Sequence, residues 1–462
     1  MQSENGLMFV PVWGEARNQL NGNEYLWSNS LKSMEVQGYI STSGAKSNGM
    51  INALLHRQIG LDAIKARTIC DIVEQTGTSH LNYQNTWAKE VLDKEGWNPE
   101  SCLPKEGTII DSAISSPIIQ PTSKKGEEIS EEEKVAEIKA LIAEINSKRV
   151  PEARIPLDSI KPFQVEFNAK QVTKVSLDGV SAKRQKDKRN NGSANEEDNK
   201  TYTYDENDGP VDYSRAPDPK KRPRVETAVA HIESEGLKYV FTGQNMFMTS
   251  LMVIAFMLFN KLLVNRNLIF FVDGGKDIKA CIDKLFAFCP NNVILDWFHL
   301  RKHCNETLSM ALVSGKKYRD IHYQIKRKLF HILWAGNVES AIQYVRSIEP
   351  QYIKNQSKIE DLVGYLKKND PYIACYAIRQ KLGLQISSNR VEKANDLTVA
   401  SRQKGDCMSW SREGSWGLAN CTAAFLNHEG EQFIEEGELT FRMYETYGKL
   451  FEPKSARLDM AA

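Results

Sequence analysis

Apolar positions change their period along the chain, and those changes divide it. From Gly49 to about Lys94, Ile51, Leu54, Leu55 and Ile59 recur at helical spacing, as do Ile64, Ile69, Ile72 and Val73. The run Thr76-Gly77-Thr78-Ser79 reads as a turn before a helix through Trp87, Val91 and Leu92. Residues 49–97 are therefore a candidate helix-turn-helix, although an ordinary helical hairpin has the same periodicity. Residues 103–125, rich in Pro and Ser, read as a linker. Ser130 followed by Glu131, Glu132 and Glu133 marks a helix start, because a hydroxyl caps free amides and carboxylates suit the positive end of the dipole. Val135, Ile138, Leu141, Ile142 and Ile145 then form one apolar stripe, read as a helix packed on its own domain ahead of a dimerisation helix.

From Val165 the period becomes that of strands. Val172, Val175 and Leu177 lie in a strand that ends at Asp178-Gly179. The stretch from Lys183 to Arg224, with KRQKDKR, NNGSANEEDNK and PDPKKRPR, has too few apolar residues to fold alone. It reads as a polar insertion or a long hairpin loop. Its PKKRPRV string matches nuclear-import signals, a pattern too short to weigh. Thr227 to Glu233 and Leu237 to Thr242 are strands around a Glu-Gly turn, and a buried helix spans 245–264. The strand Leu268 to Val272 ends at Asp273-Gly274-Gly275, and an amphipathic helix covers Asp277 to Phe288. The strand Val293 to Leu295 leads into Asp296-Trp297-Phe298-His299, and residues 300–385 are helical throughout. This order predicts a mixed sheet covered by helices, with acidic residues at strand ends.

Composition narrows the classes. With 462 residues, 41% of them hydrophobic, several packed domains are possible. Sixty Lys+Arg against 59 Asp+Glu leave a charge of +1, which excludes a uniformly basic DNA-coating protein. Eight cysteines without a CxxC pair exclude a disulfide scaffold and a zinc ribbon, and suit a reducing cytoplasm. The first 25 residues lack the basic start and apolar core of a secretory signal. Asn260 and Lys261 interrupt the apolar stretch from Met246 to Val264, leaving it short of the ~20 residues of a membrane span. No membrane association is expected.

The acids carry the chemistry. An Asp-Gly pair alone is commonly a turn. In a sheet whose first and fourth strands are neighbours, however, Asp178 and Asp273 lie side by side. Carboxylates that close repel unless a cation sits between them. Mg²⁺ suits such a site, being hard and oxygen-seeking. Glu392, in the helical Ser388-Asn389-Arg390-Val391-Glu392-Lys393-Ala394, is placed to complete a two-metal site.

These segments together resemble the RNase H-like DDE transposases of bacterial insertion sequences, most closely the Mutator-type group. The resemblance covers about residues 165–425 and rests on LDGVSAKRQ, AHIESEG, FFVDGG, ILDWFHLRKHC and VEKANDLTVASRQKGDCMSWSREGS in that order. The polar insertion at 183–224 departs from it. The resemblance implies an α/β RNase H-like core, a mixed five-stranded sheet flanked by helices, with an all-α insertion and a mostly helical N-terminal region. The N-terminal region and linker would occupy 1–150, the core 160–300 and 387–430, the insertion 301–386, and a C-terminal tail 431–462. Asp178, Asp273 and Glu392 would be the catalytic ligands of Mg²⁺ or Mn²⁺. Asp296 and His299 match the family's [Cys/Asp]-x-x-His motif and would support the site.

The implied activity is cleavage of element ends and strand transfer into target DNA, without a Tyr or Ser nucleophile. DNA is then the partner, within a homodimer or larger synaptic assembly, in a bacterial cytoplasm. Lys183, Arg184, Arg301, Lys302, Lys393 and Arg402 are the basic groups expected to hold the DNA backbone. Asp296-x-x-His299-x-x-x-His303-Cys304 also has spacing open to zinc. Trp410 is expected to be a packing anchor. Two rival functions remain: a nuclease of the same fold that does not join DNA, and a non-catalytic DNA-binding derivative.

Overall fold

The computed structural model describes residues 29–42, 46–50, 52–53, 66–98, 101, 103–105, 120–123, 125–156, 168, 171–185, 223–405 and 408–448. Its centre is a mixed sheet of β1 (Val172–Lys183), β2 (Arg224–Ser234), β3 (Leu237–Gly243), β4 (Asn267–Val272) and β5 (Asn291–Leu295). The spatial order is β3-β2-β1-β4-β5. β1, β2 and β3 pair antiparallel, whereas β4 runs parallel to both β1 and β5. Every residue of β4 (NLIFFV) is buried, as a parallel strand covered on both faces requires. Between β2 and β3, Glu235 and Gly236 take φ of 53° and 84°, the left-handed pair that matches hairpin twist. This arrangement is compatible with an RNase H-like fold.

β1 does not end at Asp178-Gly179. Its ladder with β2 continues through Asp178↔Val229 and Gly179↔Ala228 to Lys183↔Arg224. A full-length partner strand outweighs the local turn preference of Asp-Gly. The polar segment 183–224 thus connects two paired strand ends, and its residues 186–222 lie outside the described residues.

Helices cover both faces. On one, Val175, Leu177, Ile232, Phe241 and Phe270 pack against α4 (Met246–Phe259), α5 (Lys276–Leu285) and the long α2 (Ala66–Lys94). Asn245 caps α4 by accepting the Met248 N–H at 2.9 Å, and Met252 to Met257 are buried as expected. No helix among the described residues is long and apolar enough to cross a membrane. On the other face, Val180, Val229 and Val240 meet α11 (Asn389–Asn395) and α12 (Arg412–Leu426). Farther along it, Ile269, Phe271 and Ile294 pack on α6 (Trp297–Ala311). The helices α7 (Arg319–Trp334), α8 (Val338–Arg346), α9 (Gln356–Asn369) and α10 (Tyr376–Lys381) lie between α6 and α11 in the chain.

The expected turn at 76–79 is absent, because α2 runs unbroken for 29 residues. Gly77 serves a crossing instead: a Cβ there would lie 2.0 Å from the carbonyl oxygen of Gly417 on α12. Residues 54–65 of the helix-turn-helix reading and 106–119 of the linker lie outside the described residues. Helix α3 (Glu131–Ser147) begins with a capping box: Ser130 Oγ accepts the Glu133 N–H at 3.2 Å and Glu133 accepts the Ser130 N–H at 2.8 Å. Ile138, Leu141, Ile142 and Ile145 of its stripe pack on Ala335, Cys375 and Ile378, so the helix is packed as expected, though on the 301–386 stretch and not within the N-terminal region, and Val135 is exposed. Beyond residue 430 the chain is not a free tail as far as 448. After α13 (Gly430–Glu436), Phe441 is buried and stacks on Trp87 with ring centroids 3.6 Å apart.

Candidate metal centre

Strand pleating places Lys174, Ser176, Asp178 and Val180 of β1 on the face that carries α11. β1 and β4 are parallel with Ser176 opposite Phe271, and two residues further the same register brings Asp178 level with Asp273. Asp178 Oδ1 accepts the Gly179 N–H at 2.8 Å, and Oδ2 accepts the Asn395 amide at 2.5 Å. Burial and then the neighbouring Asp273 push the Asp178 carboxyl up to about 6, against the pull of these donors and of His299. Asp273 curls into its Gly-Gly turn, where Oδ1 accepts the Gly275 N–H at 2.7 Å and Gly274 takes a φ of 96°.

Asp296 ends β5 and begins α6. It is fully buried, and Oδ1 caps the helix by accepting the His299 N–H at 2.7 Å. Oδ2 accepts both the N–H and the hydroxyl of Ser388, at 2.5 and 3.0 Å. The Trp297 N–H donates to the Ile386 carbonyl at 3.1 Å. The end of β5 therefore grips the segment before α11, and α11 presents Glu392 one turn later. Burial works against the Asp296 carboxylate, but the bonds from His299 and Ser388 outweigh it and hold its pKa below the ordinary value.

His299 links the acids. Its Nδ1 lies 3.2 Å from Asp296 Oδ1 and 3.8 Å from Glu392 Oε1. Contact with Asp296 raises its pKa; burial opposes this, and Asp273 and Glu392 add to the rise. Among the described residues, the group of three whose ligand atoms all fall within 4.8 Å is Asp296, His299 and Glu392, which could hold a metal ion. Both Asp296 oxygens already accept hydrogen bonds, so this carboxylate is better suited to bracing than to ligation. Asp178, Asp273 and Glu392, the ligands expected from the sequence, are not such a group: their ligand atoms do not all fall within 4.8 Å of one another, and the rise at Asp178 owes more to burial than to Asp273. From Asp178 and Asp273 a groove of about 1110 Å³ runs past Asn245, Phe247, Arg412 and Trp416.

The basic residues fare unequally. Lys183, Arg301, Lys302 and Lys393 are exposed and Arg184 is half-buried. Arg301 lies over the Phe330 ring at 5.4 Å, and Arg184 forms a bridge beside Trp410. Arg402 is a correction. Its guanidinium is buried and donates twice, at 3.0 and 2.8 Å, to the Tyr39 carbonyl of α1 (Asn29–Ser41), so it fastens a helix and cannot meet DNA. The zinc reading fails at His303 and Cys304. His303 stacks on Tyr365 at 3.8 Å, while Cys304 is buried among aliphatic side chains that push its thiol up to about 12. Trp410 is an anchor, its indole N–H donating to the Gln403 carbonyl at 3.2 Å.

Sequence reasoning missed Asn395 and Ser388. Asn395 stands three residues after Glu392, one helical turn away, which is the signal that could have found it. Ser388 offered none, because its partner Asp296 is 92 positions distant.

No protein-family model matches the chain, and no curated protein matches it in sequence. Among solved structures, a Drosophila P element transposase strand transfer complex is similar at 10% identity, over 92% of this chain and 87% of that chain, with a TM-score of 0.23.

Proposed function

We propose that this chain is a DDE transposase: a metal-dependent enzyme on an RNase H-like core that cleaves the ends of a mobile DNA element and joins them to target DNA. The helices of residues 301–386 are its insertion, and residues 1–150 contribute to recognition of the ends. The carrying observation is the parallel register that levels Asp178 with Asp273, with the carboxyl of Asp178 pushed up to about 6 by burial and its neighbour. A bare pair of acids at such a site is unfavourable, and that cost is the sign of a cation site.

Asp178, Asp273 and Glu392 would hold Mg²⁺ or Mn²⁺, which when bound supplies Lewis-acid stabilisation of the phosphate and an activated water or 3′-hydroxyl. The chain's own contribution is positioning. Asn395 orients the Asp178 carboxylate, and Asp296 with Ser388 sets the height of α11 and hence of Glu392. His299 balances the local negative charge. Lys183, Arg184, Arg301, Lys302 and Lys393 hold the DNA backbone along the approach. Acting on two ends together calls for a dimer or larger assembly.

The test uses the purified chain, the DNA flanking its gene, and Mg²⁺ or Mn²⁺. Nicks that expose 3′-hydroxyl ends, followed by joining to a second duplex, are expected from the wild type. Both should be lost in Asp178→Asn, Asp273→Asn and Glu392→Gln. Cutting without joining would favour the nuclease reading. Cleavage unaffected by Asp178→Asn would overturn the metal centre.

A further inference from the structure

Helix α7 turns an apolar side inward and a basic side outward. Ile325, Leu329, Ile332 and Leu333 are buried, whereas Arg319, Tyr323 and Arg327 are exposed at every fourth position and so stand in one ridge. The helical turn just before it, Lys316–Tyr318, adds the exposed Lys316 and Lys317. From residue 315 to 334 the sequence holds one acid, Asp320 beside Arg319. Among the described residues, none of Lys316, Lys317, Arg319 and Arg327 comes within ion-pair distance of a carboxylate. Tyr323, between the two arginines, is 64% exposed.

The ridge has a direction. α7 runs back along α6: Trp334 meets Trp297 with ring centroids 4.7 Å apart, and Lys326 Nζ donates to Ser309 Oγ at 2.8 Å. Trp297 follows Asp296, so the exposed side of α7 leads away from the acids. Ser309 lies about 18 Å along α6 from Trp297 at helical rise, which is about five base pairs of duplex at ~3.4 Å each. At the near end, Arg301 of α6 lies over the Phe330 ring of α7 at 5.4 Å, and His331 is held below its ordinary pKa by burial first and then by Arg327 and Arg149. The basic surface is therefore continuous from the start of α6 outward.

We propose that the exposed ridge of α7 is a second DNA surface, which holds the duplex backbone about five base pairs or more from the acids. Arg319 and Arg327 are about 12 Å apart at helical rise, a span that faces three to four base pairs of a polymer carrying one charge per ~1.7 Å. The Tyr323 hydroxyl between them is a neutral donor suited to a phosphate oxygen. The occupant rests on the transposase reading; the charge, exposure and direction of the ridge are independent of it.

The experiment measures binding of the full chain to a fluorescent 30-base-pair duplex, taken from the DNA flanking its gene, in EDTA so that no cleavage intervenes. Arg319→Gln/Arg327→Gln and, separately, Lys316→Gln/Lys317→Gln are compared with the wild type after a melting curve shows each is folded. Each pair should bind about tenfold more weakly, and its log affinity should fall less steeply with log salt, by a slope of about 2, as two fewer phosphate contacts require. Methylphosphonate scanning should find phosphates five or more base pairs from the nick whose neutralisation weakens the wild type but not the arginine pair. Affinity and slope unchanged in both pairs would overturn the proposal, and if Asp178→Asn still abolished cleavage the enzyme reading would survive it. Polyglutamate bound by the wild type and released by the variants, with DNA affinity intact, would also overturn it, since that describes an acidic protein partner. If the wild type cuts no DNA yet both pairs bind it poorly with the shallower slope, the ridge stands and the enzyme reading falls.

Discussion

Asp296 Oδ2 accepts two hydrogen bonds from Ser388, one from its N–H at 2.5 Å and one from its hydroxyl at 3.0 Å. The end of the last strand is thus bolted to the residue that precedes the Glu392 helix. Asp296→Asn would turn an amide donor toward these donors. We expect a stability loss of about 1–3 kcal/mol by urea denaturation, the cost of unmatched buried polar groups. DNA cleavage should fall much further than DNA affinity in EDTA, because α11 carries only Lys393 of the basic surface along with Glu392, whereas Lys183 and Arg184 stand at the end of β1. Full activity in the variant would show that Asp296 does not set α11.

The carboxyl of Asp178 is raised from an ordinary 3.8 to about 6. Between those values the folded chain holds a proton that the unfolded chain has released, so stability falls as pH rises through this window and the full cost persists above it. At pH 7.5 in EDTA, Asp178→Asn should therefore melt a few degrees higher than the wild type. Mg²⁺ should raise the wild-type melting temperature and leave the variant's nearly unchanged. A wild type indifferent to Mg²⁺ by calorimetry would count against the metal centre.

Gly77→Ala would drive a methyl group into the Gly417 carbonyl at 2.0 Å, backbone against backbone. The helices must separate, and we expect a loss of about 1–3 kcal/mol, as for other overpacked contacts. Gly364, on α9 with nothing within 4 Å of its Cβ position, is the control. Gly364→Ala should stabilise by about 0.5–1 kcal/mol through lower backbone entropy in the unfolded chain. Equal effects of the two in chemical denaturation would refute the close crossing.

Arg402→Lys keeps the charge but not the planar fork that reaches the Tyr39 carbonyl twice. The variant should release α1 to limited proteolysis and lose stability, with the salt dependence of DNA binding unaltered. A shallower salt slope would restore Arg402 to the DNA-binding set.

His80 and His231 are both buried, and burial pushes each down to about 3. The unfolded chain takes up their protons as pH falls below about 6.5, so stability contributed by the neutral rings is present above 6.5 and lost toward 3. Each adds a slope of up to about 1.4 kcal/mol per pH unit in that window. His80→Leu, packed beside Phe433 at 5.1 Å, should flatten the acid limb of the stability profile. An unchanged limb would mean that His80 titrates normally.

Much of this molecule can be read along the chain because its signals are local. Period-two and period-3.6 apolar spacing located the strands and the buried α4 to within a few residues. The Ser130 cap and the Glu235-Gly236 turn depend only on near neighbours. The neighbouring of Asp178 and Asp273 was expected only on the condition that the first and fourth strands adjoin, an order and register that the alternation of strands and helices does not fix and the sheet itself supplies. What only the tertiary structure decided depends on partners far apart in sequence. Asp178-Gly179 became mid-strand because β2 pairs along it, and Gly77 became a helix crossing because Gly417 lies against it. Arg402 went to the interior because Tyr39, 363 positions away, offers the carbonyl it caps. Local periodicity sets which backbone a segment adopts; the meeting of remote side chains sets what each polar group does, and spacing along the chain does not encode it.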